Sequence, residues 1–111
     1  LKEMGILHDV SIIATDLEGK VLYWNRGAEE LYGWSSEEAL GRRLRDLTLS
    51  EELLDQAEVV ASHLRAGRTW SGETLFRRKD GSYVRFDRNV VPLRSGDPVG
   101  VETARTFPGG N

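Results

Sequence analysis

The sequence predicts an α+β domain built on a five-stranded antiparallel sheet. Three observations carry that reading. Two short β runs joined by a tight turn open the ordered part, three β runs separated by turn residues close it, and the helix signals are confined to the middle. Strands, then helices, then strands suggest helices gathered against one antiparallel sheet rather than alternating with parallel strands. With 111 residues the chain is long enough for one domain only.

The elements follow in order. Residues 1–8 carry an apolar stripe, Leu1, Met4, Ile6 and Leu7, consistent with a turn or two of helix. Ser11–Thr15 is short and β-rich. Asp16 and Gly19 frame a turn, Gly19 being free to take positive φ. Val21–Trp24 completes the hairpin. Asn25 can cap a helix that runs to about Tyr32 and stops at Gly33. Ser35 with Glu38 forms a capping box for a second short helix ending at Gly41. Thr48 with Glu51 reads as a third box, opening the longest helix over roughly Ser50–Ala66. Leu53, Ala57, Val60, Ala61 and Leu64 share one apolar face of it, and Gly67 stops it. Trp70–Lys79 is a strand, Asp80–Gly81 a two-residue turn, and Ser82–Leu93 a long strand. Ser95–Pro98 turns the chain into a last strand over Val99–Phe107.

Composition narrows the function. A net charge of −3 argues against nucleic acid as a partner. The basic groups Arg42–Arg43–Arg45 and Arg77–Arg78–Lys79 read as solvated edges. The absence of cysteine removes disulfides, thiolate metal sites and thiol nucleophiles, and fits a reducing, cytoplasmic setting. No stretch approaches the ~20 apolar residues of a membrane span, and the N-terminus lacks a signal-peptide layout. The acidic pairs Glu29–Glu30, Glu37–Glu38 and Glu51–Glu52 fall in first helical turns or on exposed faces, where they serve the helix dipole rather than catalysis. No Walker-type loop, HExxH or metal spacing occurs, so no catalytic or metal-binding residue is expected. The start at Leu1 and the end in Pro108–Gly109–Gly110–Asn111 suggest a domain excised from a longer protein.

The stretch Asp16–Gly41 carries a family likeness. Its Asn25–Arg26–Gly27–Ala28–Glu29 run, its Gly33–Trp34–Ser35 turn and its Glu37–Glu38–Ala39–Leu40–Gly41 end resemble the opening of a PAS domain, of the kind found in bacterial signalling proteins. Trp70–Ser71–Gly72–Glu73 and Arg77–Ser82 are similar to the central hairpin of that family, and Val91–Pro92–Leu93 and Val99–Gly100–Val101 to its closing strands. The likeness implies a single PAS domain over the whole chain, with residues 1–8 flanking, 9–107 as core and 108–111 as linker. It implies the PAS fold, with short helices and one longer helix packed on one face of the sheet. Many members end the last strand in Arg-Asp before a Thr that leads to a signalling helix; here Arg105–Thr106–Phe107 lacks that Asp.

The resemblance also allows the cofactors to be tested by residue. Flavin photoreceptors of the family need a cysteine where Leu44 stands in Gly41–Arg42–Arg43–Leu44–Arg45, so a covalent flavin adduct is excluded, as is a chromophore thioester. Haem members place a histidine about three turns before the end of the long helix, where Gln56 stands. An amide is a poor iron ligand. His63 lies at another level of that helix and His8 precedes the first strand. Trp70 stands near the position of a Trp in FAD-binding redox sensors, which leaves FAD as an alternative.

By comparison with flavin-binding relatives, Thr74, Phe76, Phe86, Arg88, Val90 and Glu102 face the helices. If Leu93 pairs with Val99, Val90 lies opposite Glu102 with Arg88 diagonal to it. Arg88 then either pairs with Glu102 or holds a ligand carboxylate in a bidentate fork. Apolar alternation alone instead turns Val99 and Val101 inward. The candidate pocket comprises Trp34, Leu44, Leu53, Ala57, Val60, Phe76, Phe86, Arg88, Val90 and Glu102.

The reading that results is a non-enzymatic sensory and regulatory domain. It binds a small colourless ligand, apolar or carboxylate, such as a fatty acid, or a partner domain, and controls a linked effector such as a histidine kinase, a cyclic-dinucleotide enzyme or a phosphatase. Two alternatives stand beside it: a ligand-free homodimerisation module with its pocket filled by Trp34, Leu44, Leu47, Leu53, Val60 and Phe86, and an FAD redox sensor.

Overall fold

The computed structural model describes residues 10–48, 50–95 and 97–106. The flanking stripe of residues 1–8, His8, Gly96, Phe107 and the 108–111 linker lie outside them. Five strands, β1 (Ser11–Asp16), β2 (Val21–Trp24), β3 (Trp70–Arg77), β4 (Tyr83–Ser95) and β5 (Asp97–Thr106), form one antiparallel sheet in the order β2-β1-β5-β4-β3. Helices α1 (Arg26–Tyr32), α2 (Ser36–Ala39), α3 (Leu44–Thr48) and α4 (Glu51–Arg65) connect β2 to β3. This is the expected α+β architecture.

Local chemistry sets the first half. Asp16 Oδ1 accepts from the Glu18 and Lys20 N–H groups at 2.9 Å each, closing the β1–β2 turn. The pairing Ala14↔Tyr23 followed by Thr15↔Val21 leaves Leu22 as the extra residue of a bulge. Both Val21 and Trp24 are therefore buried. Asn25 Oδ1 accepts from Ala28 N–H, capping α1, and from Ile12 N–H, while its amide donates to the Val10 carbonyl. One side chain thus fixes the helix start to β1. Gly33 ends α1 at φ 85°, and the Ser35–Glu38 capping box forms as expected. Two indoles then staple the short helices: Trp24 Nε1 donates to the Trp34 carbonyl at 2.9 Å, and Trp34 Nε1 to the Leu47 carbonyl at 3.0 Å.

Several expectations need correction, among them the turn expected over Ser95–Pro98: the strands run on to Ser95 and from Asp97, with Arg94 paired to Pro98. The cap of the long helix is Ser50, whose hydroxyl accepts from Leu53 N–H. Thr48 instead ends the unforeseen helix α3, with its hydroxyl buried and unpartnered among the described residues. β3 stops at Arg77, because Arg78 N–H bonds to the Ser82 carbonyl and makes a five-residue loop of 78–82 around Asp80–Gly81. Lys79 N–H in that loop donates to the Tyr32 carbonyl, so the loop caps the end of α1.

The inner sheet face and the helices enclose a core of Ile13, Val21, Trp24, Tyr32, Leu44, Leu47, Leu53, Phe76 and Phe86. Both sheet edges are partly covered. On β3, the Leu75 carbonyl accepts from the Ser50 hydroxyl, Leu75 N–H donates to Glu52, and the Glu73 carbonyl accepts from the Gln56 amide. On β2, Val21 exchanges backbone bonds with Gly41 and Arg42. These contacts block the middle of β3 and the start of β2 from strand addition.

Candidate functional site

Strands β4 and β5 lay charged side chains on the inner face. The register pairs Leu93 with Val99 and Val90 with Glu102, and sets Arg88 opposite Ala104. Glu102 is therefore inward, and Val101, one residue away, belongs to the outer face. Apolar alternation pointed the other way. It fails because the inner face is governed by the Arg88–Glu102 couple rather than by aliphatic burial.

Arg88 and Glu102 are 5% and 4% exposed. Their contact is a bidentate fork: Nε donates to Oε1 at 3.0 Å and Nη2 to Oε2 at 2.8 Å. Arg88 Nη1 reaches Gln56 Oε1 at 3.3 Å. That oxygen also accepts from Thr74 Oγ1 at 2.7 Å, and Gln56 Nε2 donates to the Glu73 carbonyl at 2.9 Å. One helix residue thus ties α4 to β3 and β4. The Arg88 guanidinium also lies over the Trp70 ring, 5.4 Å from its centroid. Burial alone would lower the Arg88 pKa. The charge and hydrogen bonds of Glu102 outweigh it and hold the group above its ordinary value.

A cavity of about 120 Å³ lies between this pair and α4. Of the candidate residues, Leu44, Leu53, Ala57, Val60, Arg88, Val90 and Glu102 border it. It reaches the surface between the β1–β2 turn and the second half of α4, where Glu18, Arg45, Ala61 and Leu64 also line it. That opening explains why Ala57, on the apolar face of α4, is exposed.

Three candidates stand elsewhere. Phe76 and Phe86 pack with Tyr32 into an aromatic core, the Tyr32 and Phe76 rings stacking at 3.8 Å between centroids. Trp34 is held by Leu47 and flanked by Arg42 and Lys79, whose charges lie 5.5 and 5.3 Å from its ring centroid. None of the three borders the cavity. His63 bonds the carbonyl of Val59 in its own helix at 2.9 Å. Arg88, which the sequence left free to hold a ligand carboxylate, has its fork taken up by Glu102.

Gln56 was considered only as an occupant of a haem position, and its place in the buried network was missed. The signal was present: Gln56 is three residues after Leu53 and four before Val60, on the inward face. Tyr32 also goes beyond the expectation. Its hydroxyl is fully buried against the Ser11 side chain, in a contact too poor in geometry to count as a full hydrogen bond. Burial first, and then the Glu102 charge, push its pKa far up. No group of three or more metal-ligating side chains occurs among the described residues, and no described helix is long and apolar enough to cross a membrane.

A family profile described as the PAS fold matches residues 8–101. The human high-affinity cAMP-specific and IBMX-insensitive 3',5'-cyclic phosphodiesterase 8A is 25% identical over 73 residues, 66% of this chain and 9% of that protein. The chain thus matches a small part of that much longer relative. The crystal structure of a PAS domain from Colwellia psychrerythraea is 26% identical, with a TM-score of 0.71 over 96% of this chain and 95% of that one. A fungal LOV-domain photoreceptor superposes with a TM-score of 0.74 at 21% identity, covering 88% of this chain and 74% of that one.

Proposed function

The chain belongs to the PAS family, and on that premise we propose that it is the sensory module of a bacterial-type signalling protein, with its ligand site in the cavity beside Arg88 and Glu102. The observation that carries this reading is the cavity itself: an opening to solvent, apolar walls from α4 and β4, and a buried charged pair at its inner end. Such a concave, mostly apolar site with a few convergent polar groups is suited to a small molecule.

The volume bounds the ligand. Pockets for drug-sized molecules run to roughly 300–1,000 Å³, so a cavity of about 120 Å³ favours a small ligand over a flavin or a long acyl chain. The residues do not fit FAD, since the Arg88–Glu102 pair and Gln56 occupy the inner end beneath Trp70. Leu44, which borders the cavity, offers no sulfur for a flavin adduct. These features support a small, colourless ligand.

Transmission runs through the same strands. Arg88 and Glu102 project inward from β4 and β5, while Val91 and Leu93 of β4 are exposed on the outer face, together with Tyr23 of β2. Repacking at the pair shifts strands whose other face is free to meet a second copy, the flanking segments or an effector. A ligand biases that output only through its differential affinity for two arrangements. The effector is a covalently linked domain such as a histidine kinase, a cyclic-dinucleotide enzyme or a phosphatase, in a cytoplasmic protein of which residues 1–111 form one domain.

A second reading is a homodimerisation module. The apolar row Tyr23–Ala14–Val101–Val91, aligned across four strands, favours it.

The test is to purify the domain, record its visible spectrum, denature it and identify released molecules by mass spectrometry. A colourless protein that releases a compound of about six non-hydrogen atoms supports ligand sensing. Flavin or haem absorbance overturns it, and release of nothing from a concentration-dependent dimer favours the second reading.

A further inference from the structure

Arg88 and Glu102 present the cavity with a charge pair that already neutralises itself. A guanidinium has more N–H donors than the bonds to Glu102 and Gln56 use, and each carboxylate oxygen keeps a lone pair beyond the one engaged by Arg88. The inner end of the cavity thus offers a donor and an acceptor side by side without net charge. A carboxylate ligand would bring an uncompensated charge into this site, which is costly. A neutral group with adjacent acceptor and donor would not.

The protein already shows the acceptor half of this arrangement, while the Gln56 N–H donates to the Glu73 carbonyl rather than to Glu102. The third partner of Arg88 is the carboxamide oxygen of Gln56, at 3.3 Å, longer than the two charged contacts of 2.8 and 3.0 Å. Even when paired, this guanidinium donates a further N–H to an amide carbonyl. The remaining walls, Leu53, Val60 and Val90, suit a compact aliphatic body.

We propose that the cavity selects small neutral carboxamides, the carbonyl accepting from Arg88, the amide N–H donating to Glu102, and a branched aliphatic group resting on α4 and β4. This rests on the sensory reading of the cavity and names the ligand class. A comparably sized engineered cavity of ~150 Å³ holds benzene, so about 120 Å³ sets a limit of about six non-hydrogen atoms.

The test is an NMR titration of the full chain with isobutyramide, isobutyrate and isobutylammonium, compounds of nearly one shape. The expected result is saturable shifts at the Leu53, Val60 and Val90 methyls with isobutyramide at least tenfold tighter than with either ion. Equal or tighter binding of isobutyrate overturns the amide assignment while leaving a ligand cavity. No saturable shift with any probe overturns the cavity reading and the assignment with it. Glu102→Gln removes the neutralising charge and is expected to reverse the order in favour of isobutyrate; an unchanged order in a folded variant also overturns the proposal. If that variant does not fold, the ratio in the natural chain decides.

Discussion

Replacing Arg88 by Met leaves the Glu102 carboxylate buried without its fork. Both groups are about 5% exposed and share two charged bonds, with a third from Arg88 to Gln56. Breaking a buried pair from one side costs about 3–5 kcal/mol, because an uncompensated charge stays behind. Domains of this size have about 5–15 kcal/mol in total, so the loss is a large share of the stability. At about 4–8 °C per kcal/mol it lowers Tm by at least ~12 °C. Replacing both residues by Met removes the charge as well as the partner. Such exchanges range from neutral to ~1–4 kcal/mol stabilising, so the double variant is expected to be more stable than the single. Urea denaturation followed by tryptophan fluorescence measures both. A single variant within ~1 kcal/mol of the natural chain, or a double variant less stable than the single, would refute the argument that the pair is held by mutual neutralisation.

Other outcomes follow from the same geometry. A Cβ on Gly100 would lie 2.8 Å from Leu64 Cδ1 and 3.3 Å from Val90 Cγ1. Gly100→Ala should therefore drive the end of the half-buried Leu64 aside, costing about 1 kcal/mol and weakening isobutyramide binding in the titration. Asn25→Ala loses the α1 cap and the bond to Ile12 N–H, so calorimetry should show about 2 kcal/mol of destabilisation. Tyr32 has a raised pKa in the folded chain, so its contribution is whole below roughly pH 10 and is lost as pH climbs above it, because only the unfolded chain ionises readily. Tyr32→Phe should flatten that alkaline loss in a denaturation series, and should cost no more than about 1 kcal/mol at pH 7, since the hydroxyl has only its weak contact with Ser11 to lose.

The fold was legible because local rules agreed with one another. Asn25, Gly33 and the Ser35–Glu38 box each announce a helix boundary, and the Asp16–Gly19 turn and the Leu93–Val99 register set two hairpins. Capping misled only where two hydroxyls competed. Thr48 and Ser50 both precede acidic residues, and what selects Ser50 is its second bond to the Leu75 carbonyl, contributed by a strand far along the chain. Helix α3 was not read because its five residues carry too little periodicity to register. Of the residues that border the cavity, Leu53, Ala57 and Val60 were legible from helical spacing and Leu44 from family likeness. Phe76 and Phe86 face inward as expected, but Tyr32 claims them for the core, and no pattern within the strands encodes that. The inward turn of Glu102 contradicts apolar alternation and is explained only by Arg88 across the strand pair.

The claim that joins these observations is that the space beside Arg88 and Glu102 is a working ligand site rather than packing waste. Methyl NMR of the full chain with saturating isobutyramide tests it most directly, through intermolecular contacts between ligand and protein. The account predicts contacts to Leu53, Val60 and Val90 and none to Tyr23 or Val91 on the outer face. Contacts confined to the outer face, or none at all, would contradict it.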